Sequence, residues 1–234
     1  MVRDRAEREE HADRRPSLVD DAYAAMKDEI RESRFPPGYQ ASEQEIALRL
    51  GMSRTPVHEA AIRLQEDGLV RILPRKGILI CALAPEDMRE IYDVVIAIEG
   101  RAAALLAQMP EVRREAVAAE LAGLTTTMAE AEAAGDLTAW GHADEGFHRT
   151  LVERAGNNRM IRINQTINDQ AHRARMLTLR LRRELSASVS EHRQILDAIR
   201  TGDSEAARDG AHRHRLRARD ELLPLLASFG LKHL

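Results

Sequence analysis

The signals for β-structure in this chain are concentrated in one short stretch, residues 70–83 (VRILPRKGILICAL). Two runs that favour strands, VRIL and ILICAL, flank the sequence PRKG, an arrangement typical of a β-hairpin with a basic, glycine-containing tip. On both sides of this stretch, from Ser17 onward, the apolar residues recur at helical spacing. We therefore predict a mainly α-helical protein with a single hairpin.

The residues that precede the hairpin predict three short helices. The first begins at Ser17 and is ended by the sequence RFPPGY over residues 34–39, which holds two prolines and a glycine. The second lies within residues 42–51, and the third begins at Ser53 or Thr55. Three short helices followed by a hairpin form the layout of a winged helix-turn-helix domain.

The residues that follow the hairpin predict an all-helical domain. Short breaks rich in glycine, proline and polar residues divide this part into about six helices. Short connections favour antiparallel neighbours, so we predict an antiparallel helical bundle. The expected organisation is a disordered charged arm over 1–16, a winged helix-turn-helix domain over 17–83 and the helical domain over 84–234.

Composition constrains the cellular setting more than the function. The single cysteine, Cys81, excludes an internal disulfide framework and is consistent with a reducing cytosol. No run of 18 apolar residues predicts a membrane span, and the N-terminus is too highly charged for a secretory signal. We expect a cytoplasmic protein. The formal net charge of −3 gives no evidence for nucleic-acid binding, so such evidence must come from local features.

The first turn of the third predicted helix carries polar and basic groups on its outer face. Arg54, Thr55 and His58 lie opposite the apolar residues of that helix. The second helix of a helix-turn-helix enters the major groove of DNA, where an arginine can bind guanine through two hydrogen bonds. Arg75 and Lys76 at the hairpin tip would reach the DNA backbone or the minor groove. The alternative is a solvated, capped helix beside an ordinary hairpin.

Four polar residues of the helical domain fall on inward helix faces. Asp144 and His148 are one turn apart on the same face, and His192 and His214 lie among the apolar positions of two later helices. Buried polar groups need partners, and one divalent metal ion would satisfy all four. Imidazole-rich sites suit zinc, nickel, copper or iron. The alternative is that each histidine is a core residue satisfied by its own hydrogen bonds.

The N-terminal part resembles the DNA-binding domain of GntR-type bacterial transcription regulators. The motifs that carry the resemblance are PPGYQASEQEIALRLGMSRTPVHEAAIRLQEDGLV (36–70) and PRKG (74–77). It implies binding to double-stranded operator DNA and extends the DNA-binding set to Gln44. Two positions depart from the family pattern, since His58 stands where an arginine is typical and Gln44 where a basic residue is found.

The C-terminal part resembles the effector domain of the FadR-like (FCD) branch of these regulators, over roughly residues 85–228. The motifs are DEGFH (144–148), EHRQILDAI (191–199) and GDSEAARDGAHRH (202–214). The resemblance implies a homodimer and a pocket for a small effector, often an organic acid. It also implies a divalent metal cofactor held by the four inward residues, with zinc preferred and nickel or another first-row metal as alternatives.

One departure concerns the effector. An arginine that points at the ligand carboxylate is common in the first bundle helix of this branch, and this chain has Val95 there. Asn164, Asn168, His172 and Arg175 form a polar stripe that could compensate, and a solvated face is the alternative. The effector-binding residues stay unknown, with Asn164, Asn168 and Arg175 as candidates. Three histidines fall off the matched positions and are interpreted as surface or packing residues: His142, His172 and His212.

The favoured function is that of a non-enzymatic, homodimeric transcription regulator in which an effector changes operator affinity. One alternative is a metal sensor, in which the metal itself is the signal. A second is a metallohydrolase, because an Asp/His₃ site with an open position can activate water. The chain has no H-E-x-x-H motif, and its sequence places no carboxylate as a general base.

Overall fold

A computed structural model describes residues 17–181 and 185–229 of the chain, so the predicted arm over residues 1–16 lies outside the described residues. The chain divides into two compact units, one ending at Cys81 and the other beginning at Ala82. The mainly α-helical fold class is confirmed, with a winged helix-turn-helix in the first unit and a helical bundle in the second.

The first unit holds three helices and a small antiparallel sheet. In chain order its elements are α1 (Leu18–Arg31), β1 (Gln40–Ala41), α2 (Glu43–Leu50), α3 (Arg54–Glu66), β2 (Val70–Leu73) and β3 (Gly77–Ile80). The strands lie in the order β1-β3-β2. Strand β1 was not predicted, because two residues cannot show an alternating pattern. It pairs with the hairpin through Gln40 opposite Leu79 and Ala41 opposite Ile78.

Local sequence signals explain where α2 begins and ends. Ser42 accepts a hydrogen bond from the backbone of Glu45, and the Glu45 carboxylate accepts one from the Ser42 backbone, which together form a capping box. Gly51 ends the helix in the left-handed conformation, with φ of 66°. The chain therefore turns sharply and leads within three residues into α3.

The hairpin is tied to the helices at its tip. A Cβ atom at Gly77, whose φ is 90°, would lie 2.3 Å from the carbonyl oxygen of Ala41, so only glycine fits there. The side-chain amide of Gln40 donates to the carbonyl of Lys76 at 2.8 Å. These contacts fix the basic tip relative to β1 and the start of α2.

The second unit consists of six α-helices among its described residues, as predicted. They are α4 (Pro85–Ala107), α5 (Glu111–Ala134), α6 (Leu137–Arg154), α7 (Asn158–Thr178), α8 (Leu185–Thr201) and α9 (Ser204–Ser228), with a 3₁₀ turn at Leu179–Leu181. Most of the buried side chains are apolar, but α4, α6, α7 and α9 also bury charged residues. None of the described helices combines the length and apolar character needed to cross a membrane.

Candidate metal centre and nucleic-acid interface

The six predicted DNA-binding residues all lie in the first unit and are all exposed. They come from α2, α3 and the hairpin tip: Gln44, Arg54, Thr55, His58, Arg75 and Lys76. On the opposite side of α3, Val57, Ala61 and Leu64 are fully buried. Burial of the apolar face fixes the rotation of α3 about its axis and leaves its polar face to solvent.

The N-terminus of α3 keeps free hydrogen-bond donors. Ser53 occupies the N-cap position, but its side chain makes no capping hydrogen bond, unlike Ser17 and Ser42 at the starts of α1 and α2. The first N–H groups of a helix lack partners within the helix, and together with the helix dipole they favour an anion. The start of α3 is therefore suited to a phosphate.

A carboxylate that the sequence interpretation missed connects two of the predicted residues. Glu43, the first residue of α2, accepts hydrogen bonds from Arg54 Nε and His58 Nδ1, each at 2.7 Å. The bonds to Arg54 and His58 hold the pKa of Glu43 below its usual value, so this carboxylate stays ionised. Its helical position gave no sign that it would reach across to α3.

The hairpin tip and the helices enclose one groove of about 420 Å³, whose lining includes Gln44, Arg54 and Arg75. Arg75 has a φ of 63°, a left-handed conformation that a side chain other than glycine, asparagine or aspartate seldom adopts. Thr55, His58 and Lys76 do not line this groove. Three of the six predicted residues are thus brought around a single concavity.

The four predicted metal ligands come together in the core of the bundle. Asp144 and His148 lie one turn apart on α6, His192 lies on α8 and His214 on α9. Each is at most 3% exposed. Their ligand atoms all lie within 4.8 Å of one another, so they can hold one metal ion.

The three imidazole rings present the same nitrogen to a common point. The Nε2 atoms of His148, His192 and His214 are separated by 3.2, 3.2 and 3.3 Å. Two nitrogens that bind one ion at about 2.1 Å lie about 3.0–3.4 Å apart for octahedral to tetrahedral angles, so the triangle fits a metal. Asp144 Oδ1 lies 3.7 Å from the Nε2 atoms of His148 and His192 and completes the set at a wider angle.

Carboxylates behind two of the rings determine which nitrogen carries the proton. His148 Nδ1 lies 2.9 Å from Glu99 Oε2, and His214 Nδ1 lies 2.7 Å from Glu191 Oε2. An ionised carboxylate only accepts hydrogen bonds, so both Nδ1 atoms are donors. The Nε2 lone pairs of the neutral rings then face the centre, as a metal site requires.

Arginines neutralise the buried carboxylates around the centre. Arg215 donates to both Glu99 oxygens at 2.7 and 2.5 Å, and Arg175 Nε donates to Asp144 Oδ2 at 2.8 Å. Burial raises the pKa of Asp144, but Arg175 and His148 outweigh it and hold that pKa well below its usual range. Burial likewise raises the pKa of Glu99, and Arg215 and His148 again bring it below the usual value.

Two of the histidines, His192 and His214, are kept neutral by their surroundings. Burial lowers the pKa of His214 to about 4, although the bond to Glu191 opposes this shift. Burial and the neighbouring His214 and His148 rings hold the pKa of His192 well below its usual value. The His192 ring stacks on Phe147 with centroids 3.8 Å apart, and its Nδ1 atom has no hydrogen-bond partner among the described residues. His192 is therefore held by packing rather than by a carboxylate.

The polar stripe on α7 is buried, so its interpretation as a solvated face is wrong. Asn164, Asn168 and Arg175 are 4%, 6% and 1% exposed, and His172 is fully buried between Glu145 Oε2 and Arg175 Nη1, each 3.4 Å from His172 Nδ1. Asn164 Oδ1 and Arg175 Nη2 have no hydrogen-bond partner within the described part of the chain. The other two histidines that fall off the matched family positions, His142 and His212, are exposed.

Three residues that support the centre were missed: Glu99, Glu191 and Arg215. The signal for Glu99 and Arg215 was present, because each is a charged residue at an inward helical position beside apolar neighbours such as Val95 and Ala218. Glu191 is partly exposed at the rim, and its role depends on the contact between α8 and α9. That contact leaves no trace in either helix alone.

Comparisons with known proteins agree with this division of the chain. The family model described as bacterial regulatory proteins, gntR family, matches residues 18–80, and the model described as FCD domain matches residues 90–217. The chain is 58% identical over 134 residues to an HTH-type transcriptional regulator of Agrobacterium vitis from the TAR-I ttuE-ttuC' intergenic region. That alignment covers 57% of this chain and 78% of the relative.

Two further similarities cover most of the chain. A Paenarthrobacter nicotinovorans protein named "Probable D-xylose utilization operon transcriptional repressor" is 31% identical over 189 residues, which is 80% of each chain. A crystal structure of a GntR transcriptional regulator from Rhodococcus sp. RHA1 aligns with a TM-score of 0.76 at 24% identity. This alignment covers 88% of this chain and 97% of that one, and it supports the fold.

Proposed function

Because the chain belongs to the GntR family of bacterial regulatory proteins and carries an FCD domain, we propose that it is a regulator whose operator affinity is set by a small effector bound beside a metal ion. Members of this family are non-enzymatic DNA-binding transcription factors, and a metallohydrolase is not supported. In this proposal the exposed face of α3 reads the operator. The bundle binds the metal and the effector.

The observation that carries the metal proposal is the triangle of three Nε2 atoms, separated by 3.2–3.3 Å, with two Nδ1 atoms held by carboxylates. Without a cation, three lone pairs would face one another in a buried space, which is unfavourable. FCD domains can bind metals. We assign Asp144, His148, His192 and His214 as the ligands, with zinc as the preferred ion and nickel or another first-row metal as alternatives.

The effector site of this proposal lies along the buried polar face of α7. Arg175 holds Asp144 through Nε, and its Nη2 atom, like Asn164 Oδ1, has no partner among the described residues. A small molecule with a carboxylate would satisfy Arg175 Nη2, because a carboxylate suits a guanidinium. Val95 is buried and cannot supply the charge that the family's arginine supplies at that place. Arg175 is our candidate for that role in an organic-acid effector.

The DNA-binding part of the proposal uses two copies of α3. In helix-turn-helix dimers, two recognition helices read half-sites about one helical turn apart on DNA. We propose a homodimer that binds a near-palindromic operator, with Arg54, Thr55, His58 and Gln44 at the bases and Arg75 and Lys76 at the backbone or minor groove. Sedimentation equilibrium of the free protein and of its DNA complex would test the dimer.

A metal sensor is the second candidate, and the closed ligand set favours it. Asp144 and the three histidines supply four protein ligands, all at most 3% exposed, and four protein ligands are typical of sites that keep no open position. In that case the metal is the signal.

One titration separates the two candidates. Operator duplex obtained by selection from a random library is labelled, and binding is followed by fluorescence anisotropy with metal-free protein, zinc-loaded protein, and zinc-loaded protein with organic acids or sugars. A change on adding an organic acid or sugar to the zinc-loaded protein supports the effector proposal. A change on zinc addition alone supports the sensor, and no operator binding under any condition contradicts both.

A further inference from the structure

The contacts of Glu43 connect the start of α2 to the exposed face of α3. One carboxylate oxygen accepts from Arg54 Nε and the other from His58 Nδ1, each at 2.7 Å. The Glu43 side chain is 14% exposed, whereas those of Arg54 and His58 are 68% and 48% exposed. A shielded carboxylate therefore holds two side chains that extend into solvent.

This contact selects which edge of Arg54 is available to DNA. Its Nε–H is used by Glu43, so the remaining donors are those of Nη1 and Nη2. Guanine offers two acceptors, O6 and N7, to a bidentate arginine in the major groove. Arg54 is thus oriented to present its terminal pair of nitrogens.

The same contact selects what His58 offers. The ionised Glu43 carboxylate has no proton to donate, so Nδ1 of His58 carries the hydrogen. In a neutral imidazole the other nitrogen, Nε2, is then an acceptor. In the major groove, an acceptor pairs with the exocyclic amine of cytosine N4 or adenine N6.

We infer that Glu43 is a specificity-determining residue, which fixes His58 as an acceptor so that each half-site carries cytosine or adenine where an arginine would select guanine. The inference rests on the proposed recognition role of α3. It differs from that role because it concerns a residue that holds the base-reading side chains. The ligand chemistry is an exocyclic amine in the major groove.

The test is selection of duplex DNA from a random library at pH 8.5 by the full-length protein and three variants. The wild type should select cytosine or adenine at one position per half-site, and His58→Arg should select guanine at that same position. Glu43→Gln replaces the acceptor by an amide that can also donate, which frees the tautomer of His58. This variant should lose about tenfold of the discrimination at that position, the amount that one base contact carries.

The matched control is Glu66→Gln, at the last residue of α3, which removes the same charge from an exposed position away from Arg54 and His58. It should select the wild-type consensus. If Glu43→Gln selects the same consensus with the same discrimination as Glu66→Gln, or if the wild type selects guanine at that position, the inference is wrong. Circular dichroism verifies that each variant is folded. An unaltered base preference at the other positions of the operator verifies that each variant still binds DNA.

A fourth variant separates this inference from the proposed function. If Arg54→Ala leaves operator affinity unchanged, α3 is not the recognition helix, and the proposed function fails as well. If Arg54→Ala weakens binding while Glu43→Gln has no effect on base preference, only the role of Glu43 is refuted.

Discussion

Two glutamates of this protein make the same set of contacts in opposite environments. Glu43 accepts hydrogen bonds from Arg54 and from His58 Nδ1 on the exposed face of the first unit. Glu99 accepts them from Arg215 and from His148 Nδ1 in the core of the bundle. The side chains around Glu43 are 68% and 48% exposed, whereas all three members of the buried set are 1% exposed.

The environment decides what the same contacts contribute. Water can replace each partner of an exposed ion pair, so such pairs contribute about 0–1 kcal/mol to stability. A buried charge that loses its partner keeps its desolvation cost, and removing one partner costs about 3–5 kcal/mol. Around Glu43 the contacts therefore govern orientation, and around Glu99 they are required for the fold and for the metal ligand His148.

The largest effect that this comparison predicts is the loss of stability in Glu99→Gln. The free energy of unfolding should fall by about 3–5 kcal/mol, because Arg215 would keep a buried charge without a counter-charge. The matching Glu43→Gln variant should lose less than about 1 kcal/mol. Urea denaturation measures both: fluorescence of Trp140, the only tryptophan of the chain, reports on the bundle, and circular dichroism reports on both units. Equal losses in the two variants would remove the distinction between the regions.

The second prediction concerns the exposed region. Arg54→Ala should weaken binding to the selected operator by about 1–3 kcal/mol, as expected for an arginine that reads a base. Lys76→Ala should weaken binding to all sequences more evenly, because a phosphate contact carries no sequence information. Anisotropy titrations with operator and scrambled duplexes distinguish the two. Equal losses on both duplexes for Arg54→Ala would mean that this residue contacts only the backbone.

The third prediction concerns the glutamate at the rim of the metal centre. Burial raises the pKa of Glu191, but hydrogen bonds from His214 and Arg217 outweigh it and bring this pKa to about 2. Glu191→Gln should lower zinc affinity about tenfold, because it removes the carboxylate that fixes the His214 ring. Glu221→Gln is the control, since Glu221 binds the same Arg217 without contacting a ligand. Competition with a zinc-sensitive dye measures both affinities, and equal affinities would contradict the role of Glu191.

The smallest effect is expected at the hairpin tip. Arg75→Gly should raise the free energy of unfolding by less than about 1 kcal/mol, because glycine adopts a φ of 63° without strain. It should also weaken binding to operator and scrambled DNA alike. Thermal melting and anisotropy together test this. An unchanged DNA affinity would show that the Arg75 side chain does not contribute to DNA binding.

The buried metal ligands could be predicted from helix periodicity, whereas the exposed DNA-binding residues could not, and the difference has a physical reason. In the bundle, Asp144, His148 and His192 were recognisable because a polar residue on an apolar helix face must find a partner. On the exposed face, Arg54 and His58 were recognisable only through their order relative to the hairpin and the family resemblance, since an exposed charge needs no partner.

What the sequence could not supply is contact between elements. Glu43 and Glu191 each reach a residue on another helix, and strand β1 exists only because Gln40 and Ala41 meet the hairpin. Helical periodicity describes the face on which a residue lies, but not the residue that it meets across an interface. The helix boundaries, by contrast, followed local signals such as Ser42 and Gly51.

The most direct test of the central claim is the metal content of three purified proteins after dialysis against zinc and then against metal-free buffer. The wild type should retain one zinc per chain by mass spectrometry of the metal. His214→Ala should lose it and melt at a lower temperature, since metal-binding energy held by the folded state is also folding energy. His212→Ala, two residues away on an exposed face, should retain it. A wild type without bound zinc, nickel or another first-row metal, or equal metal loss in both variants, would contradict the assigned centre.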